Sequence, residues 1–262
     1  MKNLTFNISF IGAGNVAWHL APAFENAGHV VKEVYSRTGA SAKKLVGNLY
    51  DAEQVDTLDF SASEAQLFII AIPDDSIEEV ASQIILPEQS ILVHTSGAKS
   101  IQVLPEFSAS ATGVFYPLQT FSKNRKINFE ALPILLESNN KDALALLEQL
   151  SNTISNNVQL VDSDRRAQLH VAAVFACNFS NYMMSIAEDL LNNAKLDFDL
   201  IRPLIAETIE KSLLLKPSFA QTGPAKRGDL ATLDKHMQML AKHPAYSEIY
   251  KLVSQHILNT YQ

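Results

Sequence analysis

The chain is 262 residues long, 47% hydrophobic and 19% charged, with a net charge of −7. That length allows one large or two ordinary domains with a sizeable core, and an acidic balance without a long basic run argues against a nucleic-acid surface. The single cysteine, Cys177, excludes an internal disulfide and a Cys-rich zinc site. No apolar run reaches the about 18 residues that suggest a membrane span. The short N-terminal apolar run leads straight into a glycine-rich turn, so a cleaved signal peptide is not expected. A cytoplasmic, reducing location is the expectation.

Phe6 to Phe10 alternates as a first strand and enters Ile11-Gly12-Ala13-Gly14-Asn15-Val16-Ala17, followed by an apolar helical run from Trp18 to Ala27. The pattern G-x-G-x-x-A between a strand and a helix is a dinucleotide fingerprint. Gly12 allows the tight turn, Gly14 lets the backbone approach a pyrophosphate, and Ala17 keeps the helix close to the sheet. Free N–H groups at the helix start face the phosphates. Gly12, Ala13, Gly14, Asn15 and Val16 are therefore candidate cofactor contacts.

Val30 to Tyr35 reads as a second strand and Ala40 to Val46 as a helix. An NAD site commonly places an acid near the end of that strand. Here Ser36, Arg37 and Thr38 stand there, and a guanidinium suits a 2′-phosphate. Glu33 has the spacing of the NAD acid but falls mid-strand. Leu67 to Ile72 is the next strand, stopped by Pro73. Ile72, Pro73 and Asp74 follow as candidate cofactor contacts, and Ser76 as a cap for a helix through Gln83. Ser90 to His94 ends at Thr95-Ser96-Gly97. His94 and Ser96 stand where open α/β sheets bind ligands, outside the carboxyl ends of strands. Thr112 to Phe115, Leu132 to Leu136 and Val158 to Val161 read as further strands, with a helix from Lys141 to Leu150. Near-continuous apolar strands alternating with helices predict a mostly parallel sheet covered on both faces.

After Asp162 no β-like run is evident, so an all-α domain over 163–262 is expected to follow an α/β domain over 1–162. Gln168 to Ala194 has no Pro or Gly and reads as one long helix. Its stretch Val171 to Cys177 is apolar on every side, which predicts burial inside a domain or between subunits. His170 and Asn178 are polar groups in that stretch, about 80° apart around the axis. Burial without a partner would cost roughly 1–3 kcal/mol each. A polar cleft would remove that penalty and make His170 an acid/base and Asn178 a substrate-orienting amide. Cys177 reads as core packing. Helices are expected over Asp199 to Leu215, Asp229 to Ala241 and Tyr246 to Tyr261. The loop Thr222 to Asp229 offers Arg227 as an anchor for an anionic group and Asp229 as a helix cap. So few helices would cover Val171 to Cys177 thinly, which predicts a homodimer through the helical domain.

The strings FIGAGNVAWHL, VYSRT, IAIPDDSI, VHTSGA, YPLQTF, HVAAVFACNFSNY and TGPAKRGDLATLDKHM, spread over residues 10 to 237, resemble a bacterial family of NADP-dependent oxidoreductases. Its members join a Rossmann-like domain to a helical C-terminal domain of unassigned function. The first domain also resembles pyrroline-5-carboxylate reductases and 6-phosphogluconate or β-hydroxyacid dehydrogenases. The resemblance implies an NADP cofactor, a small-molecule substrate and a helical domain that completes the site and dimerises. Two departures matter. The β-hydroxyacid dehydrogenases carry a catalytic lysine one turn before an asparagine, where this chain has Val174. Tyr116 precedes Pro117-Leu118-Gln119 where many relatives have histidine. The expected activity is hydride transfer to or from a small carbonyl or imine, with His170, or else His94 or Ser96, handling the proton. A non-catalytic NADP-binding sensor or scaffold is the rival reading. An S-adenosylmethionine-dependent methyltransferase fits poorly, because Arg37 stands where an acid is commonly required.

Overall fold

The computed structural model describes residues 5–105 and 109–261. The chain divides into two compact units, residues 1–177 and 178–262.

The first unit is built on an eight-stranded sheet of order β3-β2-β1-β4-β5-β6-β7-β8. The strands are β1 (Asn7–Ile11), β2 (Val30–Tyr35), β3 (Glu53–Val55), β4 (Leu67–Ile70), β5 (Ile91–His94), β6 (Ala111–Pro117), β7 (Ile134–Ser138) and β8 (Val158–Leu160). All neighbours pair parallel except β6 and β7. The sheet is thus mostly parallel, as the sequence predicts. The short, polar β3 gives no hydrophobic signal and is not legible in advance. The reversal at β7 follows no pattern in the residues either.

Side chains on a strand alternate between faces, and here they feed two separate cores. Ile8 and Phe10 of β1, Leu67 and Ile69 of β4, and Ile91 and Val93 of β5 join one core. Ile11, Phe68, Ile70 and Leu92 join the other. The first is covered by α1 (Asn15–Asn26), α2 (Gly39–Val46) and α4 (Lys141–Asn152), the second by α3 (Ile77–Gln83). Phe10, Phe24, Phe68 and Phe115 are fully buried, and each such side chain contributes about 1.5–3 kcal/mol relative to exposure. Ser76 precedes α3 but makes no side-chain cap bond, whereas Asn140 caps α4 through the amides of Asp142 and Ala143.

The strand order fixes where a ligand can lie. The chain runs from β1 outward to β2 and β3, then returns to β4 on the other side of β1. Loops leaving β1 and β4 therefore diverge and open a crevice at their carboxyl ends. The register aligns Tyr35, Ile11, Ile70, His94 and Val114 across five strands. The turns that follow the first four share one edge of the sheet, where β6 continues to Pro117.

After β8 the chain enters α5 (Ser163–Ala173), a wider π-helical turn over Val174–Phe179, and α6 (Ser180–Asn193). The helix expected from Gln168 to Ala194 is thus helical throughout but is not uniform. Asp162 caps α5 through the amide of Arg165 at 2.8 Å. Arg166 is the only residue α5 buries. Its guanidinium pairs with the Glu137 carboxylate on β7 and donates to the carbonyl of Lys99 at 2.5 Å and to Ser163 Oγ at 3.1 Å. The Ser163 hydroxyl donates in turn to Glu137 and accepts from the amide of Ile101. A buried ion pair is favourable only with such additional hydrogen bonds. This knot attaches α5 to the sheet.

The second unit holds α6, α7 (Arg202–Leu215), α8 (Pro217–Ala220), α9 (Pro224–Arg227), α10 (Leu230–Met239) and α11 (Pro244–Tyr261). Asp229 caps α10 by accepting from the amide of Thr232, as expected. Its buried hydrophobic residues among those described are Ala220, Ala225, Leu233 and Leu240. Burial of Val171 to Cys177 within the chain is not what the structure has. Val171 and Phe175 are 56% and 65% exposed, and Cys177 is exposed too. Leu213, Leu214 and Phe219 are more exposed still.

Candidate functional site

A cavity of about 610 Å³ opens at the carboxyl ends of β1, β2 and β4. The glycine-rich turn forms one part of it. Gly12 takes φ +113°, and a side chain there would overlap the carbonyl of Ala71. Only glycine combines that dihedral with such close approach. The Gly12 amide donates to the carbonyl of Tyr35 at 2.7 Å, which locks the turn against β2. Gly12, Ala13, Gly14 and Asn15 line the cavity, as do Ser36, Arg37 and Thr38 after β2, and Ile72 and Pro73 after β4. Val16 is not among the lining residues and packs against the first core instead.

Arg37 is exposed at the cavity and has no ion pair among the described residues. Glu33 is accounted for elsewhere. Its carboxylate, on β2, accepts from Ser63 Oγ at 2.8 Å, ahead of β4, and from the buried Ser9 hydroxyl on β1. The acid with the spacing of an NAD site is therefore committed to holding strands together. The glycine turn, the dihedral no other residue tolerates and the free guanidinium together fit a dinucleotide.

Further along the same edge, His94 is buried and both of its nitrogens are engaged. Nδ1 accepts from the amide of Ser96 at 3.1 Å, and Nε2 donates to the carbonyl of Ser100 at 3.3 Å. Burial, reinforced by nearby Arg166 and opposed by the Ser100 bond, pushes its pKa down to about 4. Ser96 is also buried, and its Oγ accepts from the amides of Ala98 and Lys99. The geometry gives both residues a turn-holding position, and neither lines the cavity.

Tyr116 and His170 meet each other, also outside the residues that line the cavity. Tyr116 Oη lies 3.1 Å from His170 Nδ1, with the rings edge to face. Gly97 makes this contact possible, since a Cβ there would fall 2.6 Å from His170 Nδ1 and 2.7 Å from Tyr116 Oη. Burial, followed by the Asp74 carboxylate, raises the Tyr116 pKa, while Arg166 opposes the rise. Asp74 is thus not among the lining residues but acts on Tyr116. Lys123, in the loop after β6, lines the cavity as well. Sequence reasoning did not single out Lys123, because nothing local connects a lysine in a polar loop with a turn more than a hundred positions earlier. Asn178 and Arg227 belong to the second unit, where both are exposed. No group of three or more metal-ligating side chains occurs among the described residues. No described helix is long and apolar enough to cross a membrane.

Crevice, glycine turn and strand order define a dinucleotide-binding Rossmann-like unit. Residues 1–117 match the Rossmann-like domain family, and residues 132–257 match the domain of unknown function DUF2520. The "putative NADP oxidoreductase" of Bacteroides fragilis is 38% identical, with 97% of this chain and 98% of that one covered at a TM-score of 0.89. The chain belongs to this family, in which a Rossmann-like domain is followed by a DUF2520 domain. Protein TM1727 of Thermotoga maritima shares the fold at 21% identity, with 96% of this chain and 99% of that one covered and a TM-score of 0.74. So does a reductive aminase of Aspergillus terreus, solved with NADPH and ethyl levulinate, at 16% identity, 97% and 93% coverage and a TM-score of 0.70. No curated protein matches the chain in sequence.

His94 gives a pH prediction. Its folded pKa of about 4 lies below the ordinary 6.5, so the unfolded chain binds the proton first. Its contribution is complete above about pH 6.5 and is lost as pH falls from there to about 4, on the order of 3 kcal/mol in all. His94→Asn keeps an acceptor for the Ser96 amide without titrating. Urea unfolding at several pH values should show wild type losing more stability than the variant across that window. Parallel curves would mean that the imidazole charges freely in the folded protein.

Proposed function

We propose that the protein is an NADP(H)-dependent oxidoreductase acting on a small carbonyl or imine compound. The observation that carries this reading is the single cavity lined by both the glycine turn and Arg37. The turn provides backbone amides for a pyrophosphate, and the guanidinium provides a fork for the 2′-phosphate that distinguishes NADP from NAD. The Bacteroides fragilis relative and the NADPH-bound reductive aminase are consistent with that cofactor. When bound, the nicotinamide supplies a hydride to the carbon of a C=O or C=N group.

The chain must then deliver a proton to the oxygen or nitrogen. The hydrogen bond between Tyr116 Oη and His170 Nδ1 orients the ring: in the protonated imidazole Nδ1–H donates to Oη, and Nε2–H is left to give its proton to the substrate, which returns the ring to neutral. We assign the proton donor to His170 on this geometry, with Tyr116 orienting its ring. His94 and Ser96 shape the adjoining turn. Asn178 and Arg227 are the second unit's candidates for orienting the substrate. The rival reading, a non-catalytic NADP sensor, is favoured by Val174 standing where related dehydrogenases carry lysine. It gains if no ketone, aldehyde or imine in a broad screen oxidises NADPH.

Two variants test this reading. Wild type should bind NADPH about tenfold or more tighter than NADH, and Arg37→Ala should remove most of that preference. Equal affinities in wild type, or full preference in the variant, would exclude the 2′-phosphate role. His170→Ala should bind NADPH normally and lose about 10²–10⁴-fold in turnover. Unchanged turnover in the folded variant would remove His170 from the reaction.

The same reading includes a homodimer. The second unit buries few large side chains, and Val171 and Phe175 stand exposed beside it in sequence. Apolar surface of that extent is unusual on a monomer. A two-fold partner supplies the cover, burying about 2,000 Å² or more if obligate. Light scattering should give twice the 28.9 kDa chain mass. A stable monomer at micromolar concentration would exclude an obligate dimer.

A further inference from the structure

We propose that Lys123 is a phosphate-binding residue of the dinucleotide site, presented by a loop that the first helix itself holds in place. The inference rests on the nucleotide-binding reading above and extends it to a residue outside the fingerprint.

The loop leaves β6 and passes the start of α1. Asn15 Nδ2 donates to the carbonyl of Phe121 at 3.1 Å, and His19 Nε2 donates to the carbonyl of Ser122 at 2.9 Å. Residues 15 and 19 are one turn apart on one face of α1, so the helix grips two consecutive carbonyls. The next residue is Lys123. Its Nζ donates to the carbonyl of Ala13 at 3.1 Å and lies 4.7 Å from the centre of the Trp18 ring. The ammonium is thereby set at the middle residue of the Gly12–Gly14 turn.

Three charged residues line the cavity: Arg37, Glu79 and Lys123. Arg37 belongs to the turn after β2, and Glu79 repels an anion. The pyrophosphate of a dinucleotide is expected at the glycine turn. Lys123 is the cation at that turn among the described lining residues. An ammonium has three donors. The Ala13 carbonyl takes one, which leaves others for phosphate oxygens. The Trp18 face holds the charge without consuming a hydrogen bond.

NADPH and NADH share the pyrophosphate and differ at the 2′ position, so Lys123 should serve both equally. That separates its role from the role given to Arg37. Titrate wild type, Lys123→Met and Lys123→Arg with NADPH, NADH and adenosine 2′-monophosphate, reading the fluorescence of Trp18, the sole tryptophan. Lys123→Met keeps the apolar stem. It should weaken both dinucleotides by about 3- to 10-fold, a range that allows for the exposure of the ammonium. It should preserve the NADPH-to-NADH ratio and leave adenosine 2′-monophosphate unaffected. Lys123→Arg should bind near the wild-type level.

A merely structural lysine would lower the melting temperature of the ligand-free protein and leave the affinities within twofold. That result overturns the proposal while the nucleotide reading stands. A loss confined to NADPH also overturns it, because the contact would then be to the 2′-phosphate. A wild-type protein that binds neither dinucleotide overturns the nucleotide reading, and this inference with it.

Discussion

The guanidinium of Arg166 is the contact on which the geometry of the first unit's polar edge depends. Helix α5 buries no apolar side chain, so the hydrophobic effect does not hold it on the sheet. Charge does. Arg166 meets Glu137 from β7, the Lys99 carbonyl from the turn after β5, and Ser163 one turn back. His170 lies one turn beyond Arg166 on the same face of α5, and there it reaches Tyr116. The same guanidinium opposes protonation of His94 and moderates the rise at Tyr116. One buried cation therefore positions a helix and sets the local charge balance. Removing either partner of such a pair typically costs about 3–5 kcal/mol, because the survivor is left uncompensated.

Glycine performs two different tasks along this edge. At Gly12 it supplies a left-handed dihedral and lets the Ala71 carbonyl approach. At Gly97 the dihedral is ordinary, and absence of a side chain is what matters, since any Cβ would enter the Tyr116–His170 contact. The first task belongs to a recognisable motif. The second has no sequence signature, because the two residues it accommodates come from a strand and a helix far along the chain.

The two units differ in how they are stabilised. The sheet unit has two complete cores, one on each face. The helical unit has four small or medium buried hydrophobic residues among those described and leaves leucines and phenylalanines outside. A set of helices so poorly filled gains little from burial alone. This contrast is what supports the proposal that a second copy of the chain covers the helical unit.

The sequence by itself determined the local features. Apolar runs alternating with helical ones defined most of the strands, the G-x-G-x-x-A turn defined the crevice, and Arg37 after β2 stood out as the candidate for a 2′-phosphate. These are short-range signals, since a strand period, a turn dihedral and a strand-end residue are all expressed within a few positions. Tertiary structure decided the rest. It reversed β7, consigned His94 and Ser96 to a turn, paired Tyr116 with His170, and brought Lys123 to Ala13. It also left Val171, Phe175 and Cys177 exposed on the single chain, so that burial of this run inside its own domain, one of the two readings of its pattern, does not occur. Each of these outcomes depends on contacts between segments distant in the chain. Hydrophobic pattern specifies which face of an element is buried, but not which polar groups will converge once the faces have packed.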